Sequence, residues 1–287
     1  MKTFLTPVPF FKATPFLKAT LCTALVLCLP LTAQAHRAWL LPSATVLSSD
    51  DPWVSVDAAV SNDIFHADHA PMRTEGLVIT APDGKNLEAQ NSNTGKFRST
   101  FDVQLPQKGT YKIALAASGI MATWKTEEGE RRMWPGRGEK ANPADFDKMV
   151  PKKAKDLEVS QFSRRMETFV TSGTPSETAL KPTNQGLELV PVTHPNDLFA
   201  GEAATFQFLM EGKPIAGVKV TVIPGGMRYR NDQASIELET DKKGNISVTW
   251  PQAGMYWLSA SYSDDKAKKP ATKRSGSYAA TFEVLPE

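Results

Sequence analysis

The run GKPIAGVKV at residues 212–220 is followed by TDKKGNISV at 240–248 and AGMYWLSASY at 253–262. Each joins a glycine-bearing turn to a short segment rich in β-branched or aromatic residues. Glycine and aspartate supply turn conformations that other residues enter at a cost, so strands end where they cluster. Strand and turn at this spacing follow the plan of immunoglobulin-like and transthyretin-like sandwiches. The segments LELVPV, AATFQFLM, VKVTVIP, ASIELET, NISVTW and YAATFEVL complete a set of strands, predicting one sandwich domain over residues 186–287.

The preceding half reads the same way. WVSVDAAV (53–60) alternates at its start and is rich in β-formers. GLVITAPDGKNLEA holds two strands around Pro82-Asp83-Gly84, and STFDVQLPQKGTYKIALAASG holds two around Lys108-Gly109. Between residues 125 and 158 the pattern gives way to a charged excursion with prolines and glycines. Asn142 before Pro143 has the form of an N-cap and first helical position, so ADFDKM is expected to make one or two helical turns. RRMETFVTSG returns to strand, and TPSETALKPTNQG (174–186) reads as a polar linker. The fold class expected is all-β: two immunoglobulin-like or transthyretin-like β-sandwich domains, over 36–178 and 186–287, with a partly helical excursion in the first.

Residues 1–35 read as a cleavable secretory signal. Lys2, Lys12 and Lys18 give a positive start with no acidic residue, and the apolar stretch over 21–29 is too short for a bilayer span. Pro30 ends that stretch, and Ala33-Gln34-Ala35 is a peptidase-type site. Cleavage is expected between Ala35 and His36, with release into the periplasm.

This cut removes both cysteines, Cys22 and Cys28, and with them any disulfide or thiolate chemistry. It also removes three of the 33 basic residues that face 31 acidic ones, leaving 36–287 near neutral. Nucleic-acid binding needs clustered positive charge and is disfavoured. No G-x-S-x-G, P-loop, dinucleotide fingerprint or H-E-x-x-H occurs, so nothing points to hydrolase, nucleotide or metalloprotease chemistry.

Three segments carry a resemblance: AHRAWLLPSATVLS, VDAAVSNDIFHADHAP and GLELVPVTHPNDLFAGEAATFQFLMEGKPIAG. Together they resemble the domain-of-unknown-function family 4198, bacterial periplasmic proteins once described as part of a nickel or cobalt uptake system. The resemblance implies an exported, β-rich, metal-linked protein. Members often carry an aromatic residue at the position of His66 and an acidic one at that of Asp68, which favours His69 over His66 as a ligand.

All four histidines lie in those segments. At a processed terminus His36 would carry both an α-amine and an imidazole, a chelating pair supplied by one residue. The reference pKa of such an amine, about 7.7–8.0, lies far below that of lysine, so a metal displaces its proton at neutral pH. His66, Asp68 and His69 sit in a loop between Asn62-Asp63 and Pro71, the setting in which rigid sandwiches build sites. His194 lies between Pro191 and Pro195, which fix its direction for a structural hydrogen bond or for a ligand delivered from the second domain. A nitrogen-rich set of this kind suits Cu, Ni or Zn, and the resemblance adds Co. The function expected is transition-metal binding in uptake or homeostasis, with a membrane transporter or outer-membrane receptor as partner. A metal-free adaptor and a copper-dependent oxygenase using the terminal histidine are the alternatives.

Overall fold

The computed structural model describes residues 36–136, 138–139 and 141–287. The expected signal peptide and its cleavage site lie outside them. Among the described residues no helix is long and apolar enough to cross a membrane.

Nineteen strands are described. In the first half they are β1 (Arg37–Pro42), β2 (Val46–Leu47), β3 (Trp53–Ser61), β4 (Ala70–Pro71), β5 (Leu77–Thr80), β6 (Asn86–Leu87), β7 (Gln90–Thr94), β8 (Ser99–Gln104), β9 (Gly109–Lys125), β10 (Arg131–Trp134) and β11 (Lys155–Ser172). In the second half they are β12 (Leu187–Pro191), β13 (Ala203–Met210), β14 (Lys213–Pro214), β15 (Lys219–Pro224), β16 (Ile236–Glu239), β17 (Asn245–Thr249), β18 (Gly254–Asp264) and β19 (Lys273–Val284). One short helix, α1 (Phe146–Met149), follows a 3-10 turn at Pro143–Asp145 whose N-cap is Asn142, its side chain accepting from the Ala144 amide. The fold is all-β, and the helical turns fall where the Asn-Pro pair predicts them.

The strands form three sheets. β1, β3, β8 and β7 make one, with β4 added to β3, and β12, β13 and β14 make another, with β17 on β13. The third runs β16-β15-β18-β19-β11-β9-β5-β6, with β10 on β9 and β2 on β11. It serves both sandwiches. β11 and β19 run parallel over Ser160–Thr168 and Lys273–Thr281, which makes one sheet of strands from either half. Successive side chains of a strand point to opposite faces. Val170 accordingly enters a first core with Leu40, Val56, Phe101 and Tyr111, while Phe169 enters a second with Phe206, Trp250, Tyr256 and Phe282.

The excursion is an extension of this sheet. β9 and β11 continue as a long antiparallel hairpin, and β11 begins at Lys155, ahead of the predicted return to strand. Trp134 is buried at its tip, edge-on to Phe146 at 5.2 Å. The linker segment 174–186 holds a 3-10 turn whose Ala179 and Leu180 are buried.

A candidate metal centre at two histidines

β1 and the loop after β3 are built around one face of Trp39. Arg37, Trp39 and Leu41 alternate with Ala38 and Leu40, which face the first core. The Trp39 indole N–H donates to Ser61 Oγ at 2.7 Å, and that hydroxyl donates to the Asp63 carbonyl at 2.6 Å. This relay fixes the corner where β3 ends. Ile64 is buried there with Trp39, Ile223, Met227 and Trp257, and Phe65 lies edge-on to Trp39 at 5.7 Å. The loop of residues 62–69 is thus held between β1 and the β15 and β18 strands of the second half. Arg37 ties the start of β1 to the same place, donating to the Asn62 carbonyl at 3.0 Å and to Gln233 Oε1 at 2.8 Å. Burial lowers its guanidinium from the usual value, opposed by the nearby Asp63 carboxylate.

The register then brings His36 and His69 together. β1 pairs with β3 as far as Arg37 opposite Ser61, so His36 sits one residue beyond the pairing. On the other flank β8 pairs with β3 up to Ala58, and β4 takes over with Pro71 opposite Ala59 and Ala70 opposite Val60. His69 sits one residue beyond that. Because β3 stops at Ser61, the two flanking chains close over its end. The rings stack with centroids 3.7 Å apart and planes 10° apart, both exposed.

The other expected ligands are placed differently. His66 faces Arg228, whose Nη1 lies 2.9 Å from Nε2. A guanidinium only donates, so this ring nitrogen accepts and its lone pair is committed. Asp68 accepts from the Asn62 amide at 3.1 Å, which closes the loop on itself. His194 stands in a separate closed circuit. Its Nδ1 accepts from the Asn196 amide at 3.2 Å, which puts the proton of the neutral ring on Nε2, 2.9 Å from Thr110 Oγ1. Thr110 bonds Thr171 at 3.0 Å, and Thr171 donates to Asn196 Oδ1 at 2.8 Å. Burial lowers the His194 pKa, opposed by a hydrogen bond at Ser176 and by the charges of Asp197 and Glu177.

Among the described residues, no three His, Cys, Asp or Glu side chains stand close enough to hold an ion. What the fold assembles is a pair of imidazoles. An imidazole lone pair lies in the plane of its ring, and two near-parallel planes 3.7 Å apart do not meet at one ion, so joint coordination requires the exposed rings to tilt toward each other. A depression of about 290 Å³ beside the loop, between Leu41, Phe65, Gly225 and Met255, is lined by no His, Cys, Asp or Glu. Trp39, Ser61 and Arg37 position the elements that carry the pair, and Arg228 holds His66 on the same loop; none of the four stands out in the sequence by residue type. The signal available was the alternation of Arg37, Trp39 and Leu41 directly after His36.

The family model described as "Domain of unknown function (DUF4198)" matches residues 33–264. No curated protein matches the chain. Among solved structures, the D0-D1 domain of intimin is 11% identical, covering 86% of this chain and 97% of that one, with a TM-score of 0.21. A DUF3823 family protein from Bacteroides uniformis is 11% identical over 88% and 100% of the two chains, with a TM-score of 0.24. The chicken CNTN1 FN1-FN3 domains are 7% identical over 86% and 97%, with a TM-score of 0.23. The all-β assignment rests on the strands and sheets themselves.

Proposed function

The chain belongs to the DUF4198 family of unknown function, and from that premise we propose that it is an exported transition-metal-binding protein, a carrier or accessory in metal uptake or homeostasis. The observation that supports this is the contact of His36 with His69 across the end of β3. Two imidazoles offer nitrogen donors of the kind favoured by Cu(II), Ni(II) and Zn(II). Two donors make a weak site. A third is supplied if the chain is cut after Ala35, because the α-amine of His36 and its own imidazole then chelate as a unit. Arg37, held at its guanidinium, and the loop fixed by Trp39, Ser61 and Asp68 would keep both histidines at one end of the sandwich.

The test compares three proteins by titration calorimetry with a competing chelator: the chain starting at His36, the same chain with an alanine before it, and His69→Ala. An added alanine turns the amine into an amide and leaves both rings in place. Each change is expected to weaken Cu(II) or Ni(II) binding at least tenfold, about 1.4 kcal/mol. Binding should also weaken on acidification, since protons compete for nitrogen ligands. Equal affinity in all three proteins would remove the site and leave a metal-free adaptor as the better reading.

A further inference from the structure

The long edge of β9 is interrupted. On the side away from β11, β5 pairs with β9 up to Leu77 opposite Leu115, and β10 pairs with it only from Ala122, opposite Trp134, to Lys125. Among the described residues, no strand pairs with 116–121 on that side, while β11 pairs with all six on the other in unbroken register. In an antiparallel ladder alternate residues turn N–H and C=O to each flank. Half of these residues therefore direct backbone donors and acceptors to a side where no described strand pairs with them. Free edges are ordinarily blunted by lysine, proline, a bulge or a covering segment. Here the sequence is Ala116-Ala117-Ser118-Gly119-Ile120-Met121, with the first three exposed.

We propose that this gap binds a short extended peptide segment of another protein, neutral to acidic, as an added strand. The slot is six residues long, about 20 Å at strand spacing. β5 and β10 lie in the plane of the incoming strand and close both ends. A second copy's β9 continues past six residues in each direction and would collide with them. That favours a tail or linker, which can leave the plane at either end, over another folded sheet edge. Charge points the same way. Arg73, from the turn before β5, approaches Gly138 beyond β10, its Nη2 lying 3.8 Å from where a side chain there would begin. Arg164, opposite Ala117 on β11, holds its guanidinium 5.3 Å from the centre of the Phe162 ring. Neither cation forms an ion pair with a described residue. On the β11 flank of the same residues lie a cavity of about 300 Å³ lined by Ser118, Gln161, Glu211 and Lys268 and a smaller one of about 100 Å³ along Ala116 and Arg165. Alternate side chains of an added strand point to one face, so every second residue would meet the side chains of β9 beside it while the backbone supplies affinity.

Two measurements on the full exported chain test this, and neither depends on the histidine site. Amide exchange by nuclear magnetic resonance on the free protein should show alternate fast exchange within 116–121, against protection of the residues bonded to β11. Six protected amides would mean the edge is already covered, and the proposal fails. The second uses a phage-displayed library of random linear peptides, with enriched sequences synthesised and methylated at single backbone nitrogens. Methylation at one alternate set should weaken binding at least about tenfold and at the other set leave it unchanged, and the bound peptide should slow the fast amides. Recovery of no binding peptide, or of peptides indifferent to methylation at every position, overturns the assignment.

Discussion

His194 shows how little a histidine's sequence context says about its work. Two prolines around it suit a ligand and a structural bond equally, and the structure uses both ring nitrogens in a closed circuit through Thr110, Thr171 and Asn196. The circuit joins β9, β11 and the loop after β12. It requires a neutral ring, because Nδ1 must accept, and burial lowers the pKa against the opposing charges of Asp197 and Glu177. The unfolded chain therefore binds a proton that the folded chain resists, between the folded value and the ordinary histidine value of about 6.5. Stability from this group is fully present above about pH 6.5 and is lost as the pH falls below it. Urea midpoints should thus decline on acidification more in the native protein than in His194→Gln. Parallel declines in the two would show that another group sets the slope. At this scale the sequence exposed which residues could carry chemistry, since only four are histidines. It could not show which ring nitrogens were free, because those partners come from strands distant in the chain.

At the scale of elements, one device occurs twice. Leu105-Pro106-Gln107-Lys108-Gly109-Thr110-Tyr111 opens β9, and Trp250-Pro251-Gln252-Ala253-Gly254-Met255-Tyr256 opens β18. In each, the tyrosine hydroxyl donates to the glutamine carbonyl four residues back and accepts from its amide, forming a tyrosine corner of the kind found in immunoglobulin-like folds. Burial raises both tyrosine pKa values. The glycines take φ of 133° and 139°, a region that side chains avoid. Their surroundings differ. A Cβ on Gly109 would stand 2.6 Å from Pro82 Cβ and 2.7 Å from Ser176 Oγ, whereas one on Gly254 would meet nothing within 4 Å. Gly254→Ala should therefore cost backbone strain alone, about 1–2 kcal/mol, and Gly109→Ala about 3 kcal/mol or more. Denaturation midpoints of the two variants measure the difference, and equal losses would mean the Pro82 contact yields freely. The repeat was present in the sequence as P-Q-x-G-x-Y. It is only six residues long and two of the six differ between the copies, so turn and strand patterns stand out first.

At the scale of the whole molecule, two sandwiches were legible because hairpins are local: a turn residue and two alternating runs lie within a few residues of each other. The sheet that joins them was not. β11 and β19 pair in parallel through a crossover that is itself most of the second sandwich, and no short window contains both strands. Nor does the run Glu167-Thr168-Phe169-Val170 announce that its two faces belong to different cores, since a strand buried on both sides reads as continuously apolar. The consequence is energetic coupling. Phe169 packs with Phe206 and Phe282 in the second core, while its neighbour Val170 packs in the first. Unfolding one sandwich would strip a face from β11 and unpair it from β19, exposing backbone that the other half needs. The described chain should therefore melt in a single calorimetric transition, with the van't Hoff enthalpy equal to the measured one. Phe169→Ala, which removes a side chain from the second core at a cost of about 3–5 kcal/mol, should lower that one transition as a whole. Fluorescence of Trp53, on β3 of the first sandwich, and of Trp250, inside the second core, should report the same midpoint in single-tryptophan variants. Two separate transitions, with Phe169→Ala displacing only the one reported by Trp250, would show that the shared sheet joins the halves without coupling them.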